Sequence, residues 1–275
     1  MMMRVVLVLL LLLSAPDLAS AASLSSLQQE GAAALDAART AITGGEGDLA
    51  AGRYQQALER FNQALLSYNE ALIPGPEKNE AMMGKGNAYL GLGRYPEALS
   101  SFSLVLDAMP GKSDPLTGKG DALLGMGRYE DALAAYNQAL DVSRSDPSLY
   151  IRKGRVLLLS ERFSGALDAF GHAVKLDPDT ARGWAGTGDA LAALQRHAEA
   201  VPAYQRAVTL SPSLQEAWSG AGRSLWILGR YEESLDAYDH ALALNSGDLR
   251  AAEGRETVVS LLSRYHQAVA ASDST

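Results

Sequence analysis

The hydrophobic positions of this chain follow a helical pattern that returns at a fixed interval. Apolar and small residues recur three or four positions apart, which is the spacing of one face of an α-helix. Between residues 79 and 248 a pattern of two such helices returns every 34 residues. The turn between the two helices is marked by the tripeptide Gly-Arg-Tyr at residues 93–95, 127–129 and 229–231. A fixed period of this length predicts a solenoid in which each repeat is one pair of helices.

The period divides the chain into units. Five regular repeats occupy residues 79–112, 113–146, 147–180, 181–214 and 215–248. Residues 22–78 are predicted to contain an N-terminal helix and a degenerate first repeat, whose first helix is weakened by Gly44, Gly45 and Gly47. Residues 249–275 are predicted to form one amphipathic capping helix and a short tail. Atypical end units are expected because the end of a solenoid has no neighbour to cover its apolar face.

The five regular repeats carry the same residue types at the same positions. Numbered from the first residue of each repeat, position 8 is glycine, position 20 is small and position 24 is aromatic. The glycines are Gly86, Gly120, Gly154, Gly188 and Gly222, and the aromatic residues are Phe102, Tyr136, Phe170, Tyr204 and Tyr238. We expect the glycine at position 8 to face the small residue at position 20. We expect the aromatic ring to fill the space towards the next repeat.

This set of positions closely resembles the tetratricopeptide repeat (TPR). The resemblance implies an all-α fold, namely a TPR-type right-handed α-solenoid of antiparallel helix pairs with a C-terminal capping helix. It also implies a non-enzymatic scaffold for protein–protein interactions. Two repeats depart from the pattern, because Glu161 and Gln195 replace the turn glycine and His197 replaces the aromatic residue of the next helix. We therefore expect less regular turns in those two repeats.

The first 21 residues have the three parts of a secretory signal peptide. Arg4 gives the basic start, residues 5–13 are apolar throughout, and Ala19-Ser20-Ala21 offers a cleavage site. The apolar run of nine residues is much shorter than the roughly 20 that a transmembrane helix needs. We therefore expect cleavage, and a protein that is secreted or faces the cell envelope. The alternative is that an uncleaved leader anchors the protein in the membrane.

Charge and composition exclude several functions. The formal net charge is −8 and there is no basic cluster, which argues against nucleic acid and anionic lipid as partners. The chain has no cysteine, so disulfides and thiol chemistry are excluded. Gly111-Lys112-Ser113 ends like a phosphate-binding loop, but Leu106 stands where that loop needs its first glycine. The four histidines do not converge, and no catalytic set is suggested. The sequence predicts no catalytic residue, cofactor, metal ion or small-molecule substrate.

The remaining candidate site is the groove of the superhelix. The TPR resemblance implies that partners bind there through positions 2, 5, 6, 9, 12 and 13 of the first helices. The residues carried over are Asn87, Leu90, Asp121, Leu124, Arg152, Arg155, Leu158, Asp189, Arg223 and Trp226. The carboxylate clamp of chaperone-binding members needs Lys at position 5 and Asn at position 9. It is absent, because no repeat has Lys at position 5 and only Asn87 matches at position 9.

Among these residues, charges of alternating sign lie beside a line of apolar side chains. The charges are Asp121, Arg155, Asp189 and Arg223, and the apolar residues are Leu90, Leu124, Leu158 and Trp226. Such a surface could hold a peptide or helix with both charged and apolar residues, although ordinary repeat packing would also explain the apolar line. The leading hypothesis is an exported scaffold that binds a protein or peptide partner of unknown identity in this groove. The alternative is a self-associating or membrane-held envelope assembly factor. In that case the end repeats or the uncleaved leader would make the contacts.

Overall fold

The structure, a computed structural model, describes residues 21–70 and 76–272. Residues 1–20 of the predicted signal peptide lie outside this part of the chain. The described residues form thirteen α-helices and contain no strand, which confirms the predicted all-α fold. No helix among them is both long enough and apolar enough to cross a membrane.

The helices are separated by short turns and are numbered in chain order. They are α1 (Ala21–Ala50), α2 (Tyr54–Glu70), α3 (Pro76–Gly91), α4 (Tyr95–Ala108), α5 (Ser113–Gly125), α6 (Tyr129–Val142), α7 (Pro147–Leu159), α8 (Phe163–Leu176), α9 (Ala181–Ala193), α10 (His197–Leu210), α11 (Gln215–Ile227), α12 (Tyr231–Leu244) and α13 (Leu249–Ser272). The first helices of the regular repeats are α3, α5, α7, α9 and α11, and each is followed by its second helix. The chain divides into two compact units, residues 1–126 and 127–275.

The first unit contains α1 to α5. Each helix packs on the next, and α3 also contacts α1 and α5, so the odd-numbered helices lie side by side. The core between α1, α2 and α3 is built from small side chains around Phe61. Helix α1 continues without a break through its three glycines. A Cβ atom at Gly45 would lie 2.9 Å from the ring of Phe61, so this glycine allows close packing of α1 on α2.

The second unit contains α6 to α13. Consecutive helices pack on one another, and α7, α9, α11 and α13 contact each other in that order. The core between α9, α10 and α11 includes Val201, Tyr204 and Leu225. Val258 of α13 is fully buried in the cluster around Tyr238, so α13 covers the apolar side of the last repeat.

Four of the five aromatic rings at position 24 are held between two glycines from neighbouring first helices. A Cβ atom would lie 2.7 Å from the ring of Tyr204 at Gly188 and 2.5 Å from it at Gly220. The equivalent sets are Gly86, Phe102 and Gly118; Gly154, Phe170 and Gly186; and Gly222, Tyr238 and Gly254. The ring reaches the next repeat, as predicted. The predicted contact between positions 8 and 20 is present in the last repeat, where Oγ of Ser234 donates a hydrogen bond of 2.7 Å to the carbonyl oxygen of Gly222. The ring of Tyr238 also packs against Gly222, which was not predicted.

The turns at Glu161 and Gln195 are regular, which contradicts the expectation from the sequence. These residues have φ values of 58° and 61°, close to the 74° of Gly229 in the equivalent turn. The amide of Glu161 lies 3.0 Å from the carbonyl oxygen of Leu158, and the amide of Gly229 lies 3.0 Å from that of Trp226. The flanking helices therefore impose the left-handed conformation even where a side chain makes it unfavourable.

Candidate functional site

The predicted site residues lie on the first helices in both units. In the first unit, Asn87 and Leu90 are on α3 and Asp121 and Leu124 are on α5. In the second unit, Arg152, Arg155 and Leu158 are on α7, Asp189 is on α9, and Arg223 and Trp226 are on α11. Because these first helices contact their neighbours within each unit, their equivalent positions share one surface in each. In the second unit we call the surface formed by positions 2, 9 and 12 of α7, α9, α11 and α13 the first-helix face.

Half of the predicted site residues are exposed to solvent. The exposed ones are Asn87, Arg155, Asp189, Arg223 and Trp226. The half-buried ones are Leu90, Asp121, Leu124, Arg152 and Leu158. The leucines thus take part in packing while keeping some surface accessible. The charged residues of the first-helix face are accessible to a partner.

A buried tyrosine fixes the carboxylate of Asp189. The hydroxyl of Tyr204 donates a hydrogen bond of 2.8 Å to Oδ1 of Asp189, and its ring is held between two glycines. Loss of hydration against the surrounding helices raises the pKa of Asp189, the Tyr204 hydrogen bond opposes this, and the negative charge of Glu216 raises the pKa further. Asp189 is therefore an exposed carboxyl group whose orientation is fixed by Tyr204.

Arg223 lies beside several buried groups of the second unit. Burial lowers the pKa of His197, and the positive charge of Arg223 lowers it further. Nδ1 of His197 lies 3.4 Å from Oγ of Ser224, which is also buried. His197 therefore fills, as a neutral side chain, the space that an aromatic residue occupies in the other repeats.

An apolar patch stands at the end of α11. Trp226, Ile227 and Leu228 are 37%, 44% and 39% exposed, although all three are large and apolar. Val259 on α13, a helix that contacts α11, is also 37% exposed. The sequence prediction included Trp226 and missed the other three residues. Ile227 and Leu228 gave no distinct signal in the sequence, because the equivalent positions of other repeats are also apolar, as at Leu159 and Met126.

A cavity of about 360 Å³ lies away from the predicted residues, between α10, α11 and α12. Its lining includes Val208, Trp218, Leu225, Glu232 and Asp236. The ring of Trp218 stacks on His240 at 4.4 Å, and its Nε1 donates a hydrogen bond to a backbone carbonyl. The described residues contain no cluster of three or more side chains that could hold a metal ion.

The ion pairs of the regular repeats lie mainly at the turns between helices. In four repeats the arginine before the second helix pairs with an acidic residue three positions later. These pairs are Arg94–Glu97, Arg128–Asp131, Arg196–Glu199 and Arg230–Glu233. Arg162 instead pairs with Glu130 of the preceding second helix. The arginines of the turns are thus neutralised within the molecule.

Comparison with family models identifies the class of protein. A tetratricopeptide repeat model matches residues 42–113, 117–171 and 151–214, and a second such model matches residues 215–248. The chain therefore belongs to the tetratricopeptide repeat family. Membership supports a protein-interaction scaffold, in a family that is generally non-enzymatic. A search of curated proteins found no match.

Solved structures show the same all-α TPR-type solenoid. PilF of Pseudomonas aeruginosa is 17% identical with a TM-score of 0.66, over 82% of this chain and 99% of that one. A chain of the APC/C hetero-tetramer Cut9–Hcn1 is 18% identical with a TM-score of 0.70, over 85% of this chain and 46% of that one. YrrB, described as a TPR protein with an unusual peptide-binding site, is 19% identical with a TM-score of 0.52, over 71% of this chain and 97% of that one. At these identities the likeness shows the fold alone.

Proposed function

We propose that this protein is an exported, non-enzymatic scaffold that binds a peptide or helix segment of another protein on its first helices. The observation that carries the proposal is the exposed apolar patch of Trp226, Ile227 and Leu228 beside the charged first-helix face. Single exposed apolar residues are normal on a protein surface, whereas several large ones exposed together at one helix end, near charged residues, are typical of a binding site.

The residue types of this surface fit a protein partner. Tryptophan and arginine are enriched among the residues that contribute most to binding at protein interfaces. Here Trp226 and Arg223 are one helical turn apart on α11, and both are exposed. The apolar patch would supply affinity, while the charged residues would fix the orientation of the bound segment. The peptide-binding site named for YrrB is consistent with this use of the fold, as an analogy.

The binding proposal is tested by comparing two variants of the same unit. Trp226→Ala removes the exposed ring, and Leu176→Ala removes a similarly exposed side chain from the second helix α8. Wild-type protein and both variants are used to capture partners from the native envelope, and the affinity for each captured partner is then measured. We expect Trp226→Ala to weaken binding by at least about tenfold, as is typical of a central tryptophan, and Leu176→Ala to have little effect. Equal affinities for all three proteins would refute the proposed surface.

Export is tested separately from binding. The small residues before Ala22 and Ser23 predict that the mature protein begins at one of these two residues. Sequencing the N-terminus of the native protein, together with cell fractionation, measures both the cleavage and the location. An intact leader in the membrane fraction would favour the anchored alternative. Light scattering of the processed chain tests self-association, and a concentration-dependent oligomer would favour the assembly factor.

A further inference from the structure

The charged residues of the first-helix face occur as neighbouring groups of like charge. Asp189 at position 9 of α9 and Glu216 at position 2 of α11 are both exposed, on helices that contact each other. The register of neighbouring first helices is given by Ser219 at position 5 of α11, which donates a hydrogen bond of 2.7 Å to Asp248, the residue just before α13. Arg223 lies one turn beyond Ser219 and Arg250 lies two residues beyond Asp248, so position 9 of one first helix lies near position 2 of the next. This gives a rule for the other first helices of the second unit, because they are related by the same repeat.

By this rule, one pair of arginines lies on each side of the acidic pair. Arg155 of α7 corresponds to Asp189, and Arg182 of α9 corresponds to Glu216. One repeat further on, Arg223 of α11 and Arg250 of α13 occupy the same two positions. The face therefore carries a basic, an acidic and a second basic group across α7, α9, α11 and α13.

These six side chains are all exposed, and among the described residues none of them forms a salt bridge. Asp248 lies near the second basic group, but it is half-buried and accepts hydrogen bonds from Ser219 and from the backbone amides of Arg250 and Ala251. Like charges held side by side repel each other, and a partner of opposite charge relieves that repulsion. The turn arginines, which are paired within the molecule, offer no such advantage to a partner.

The distance between the groups determines the spacing of a complementary partner. Packed helices lie roughly 8–10 Å apart, so successive charged groups are about one helix spacing apart. An extended chain advances by about 3.3 Å per residue, so this distance corresponds to about three residues. A helix would need about six residues for the same advance.

We propose that the first-helix face binds an extended protein segment that carries acidic, basic and acidic side chains in that order, about three residues apart. The geometry of neighbouring first helices and the charges at positions 2 and 9 carry this inference, which rests on the proposed function. It specifies the chemistry of the partner: a segment of mixed charge whose order matters, in place of a uniformly acidic or basic one.

The test uses the full chain and three synthetic peptides of identical composition. One peptide has Glu, Lys and Glu three residues apart in an uncharged sequence, and the other two place Lys first or last. Binding is measured by fluorescence anisotropy at low and at high salt. At low salt we expect the first peptide to bind about tenfold more tightly than the other two, because exposed ion pairs each contribute modestly. At high salt this difference should shrink, because salt screens the charges.

Charge-reversal variants test whether the order is read by the predicted residues. Glu216 is exposed and forms no described hydrogen bond or salt bridge, so Glu216→Lys is preferred to a change at Asp189, which would remove the hydrogen bond from Tyr204. We expect Glu216→Lys to abolish the preference for Lys at the centre and to bind a Glu-Glu-Glu peptide more tightly than the wild type does. Glu232→Lys on α12 makes the same change of net charge away from the face and should keep the original preference.

Each result separates this inference from the proposed function. Binding that is equal for all three peptides, or a preference that Glu216→Lys leaves unchanged, would overturn the charge order while leaving binding at Trp226 intact. Failure of all three peptides to bind would also overturn the charge order. If Trp226→Ala has no effect on captured partners either, the proposed function fails as well.

Discussion

Replacing Glu161 by glycine should stabilise the protein. Glu161 has a φ of 58° at the C-terminal end of α7, a left-handed conformation that glycine adopts without steric cost. Its side chain is exposed and follows the negative end of a helix dipole, where an acidic group is unfavourable. The substitution therefore removes strain and an unfavourable charge without removing a described contact.

The expected gain is modest because two effects oppose each other. The left-handed conformation costs a residue with a side chain about 1–2 kcal/mol. Glycine gives back about 0.5–1 kcal/mol of that gain, because it makes the unfolded chain more flexible. The free energy of unfolding should thus rise by about 0.5–1 kcal/mol. For a unit of this size, each kcal/mol raises Tm by roughly 2–4 °C. Gln195→Gly should have a similar effect, and the two should add because the turns are separate.

The assay is thermal and denaturant unfolding of the full chain, followed by circular dichroism. Gly229→Ala provides the matched control, since Gly229 has a φ of 74° in the equivalent turn. It should lower the free energy of unfolding by about 1 kcal/mol. If Gly229→Ala destabilises the protein while Glu161→Gly does not stabilise it, then the conformation at residue 161 carries no strain and the reasoning is wrong.

Three further predictions concern packing and pH. Gly118→Ala should lower Tm strongly, because its Cβ atom would lie 2.5 Å from the ring of Phe102. Gly171→Ala should raise the free energy of unfolding by up to about 1 kcal/mol, because nothing lies within 4 Å of its Cβ position in α8. The pKa of His197 is lowered in the folded state, so the unfolded chain takes up the proton first and stability is lost as the pH falls through the folded pKa. The difference in Tm between His197→Tyr and the wild type should therefore shift in favour of the variant as the pH is lowered from neutral to mildly acidic. A difference that does not change with pH would contradict this.

The repeat architecture was predictable because packing and sequence share one period. A ring held between two glycines requires the same residue types wherever it recurs, so Phe102 and Tyr204 were visible as members of a series. The contact of the ring with the glycine at position 8 was not predicted, because it depends on how deeply the ring enters the space between the helices. Spacing along the chain does not contain that information.

The turns and the site were predictable only in part. Glu161 indicated an irregular turn because its residue type disfavours a positive φ, but the helices on both sides determine the backbone there. Asp189 could be placed on a shared surface from its position in the repeat. Its nearness to Glu216 depends on the offset between neighbouring first helices, which becomes known only from the structure.

The separation of packing residues from surface charges implies that binding and stability can be changed independently. Arg155 and Arg182 are exposed and form no described ion pair, so Arg155→Gln with Arg182→Gln should alter the free energy of unfolding by less than about 0.5 kcal/mol. The same double variant should bind a segment with an acidic first position several-fold more weakly at low salt. This loss of affinity should be smaller at high salt. A large fall in Tm would show that these arginines support the fold, and the first-helix face would then lose its first basic group as a recognition element.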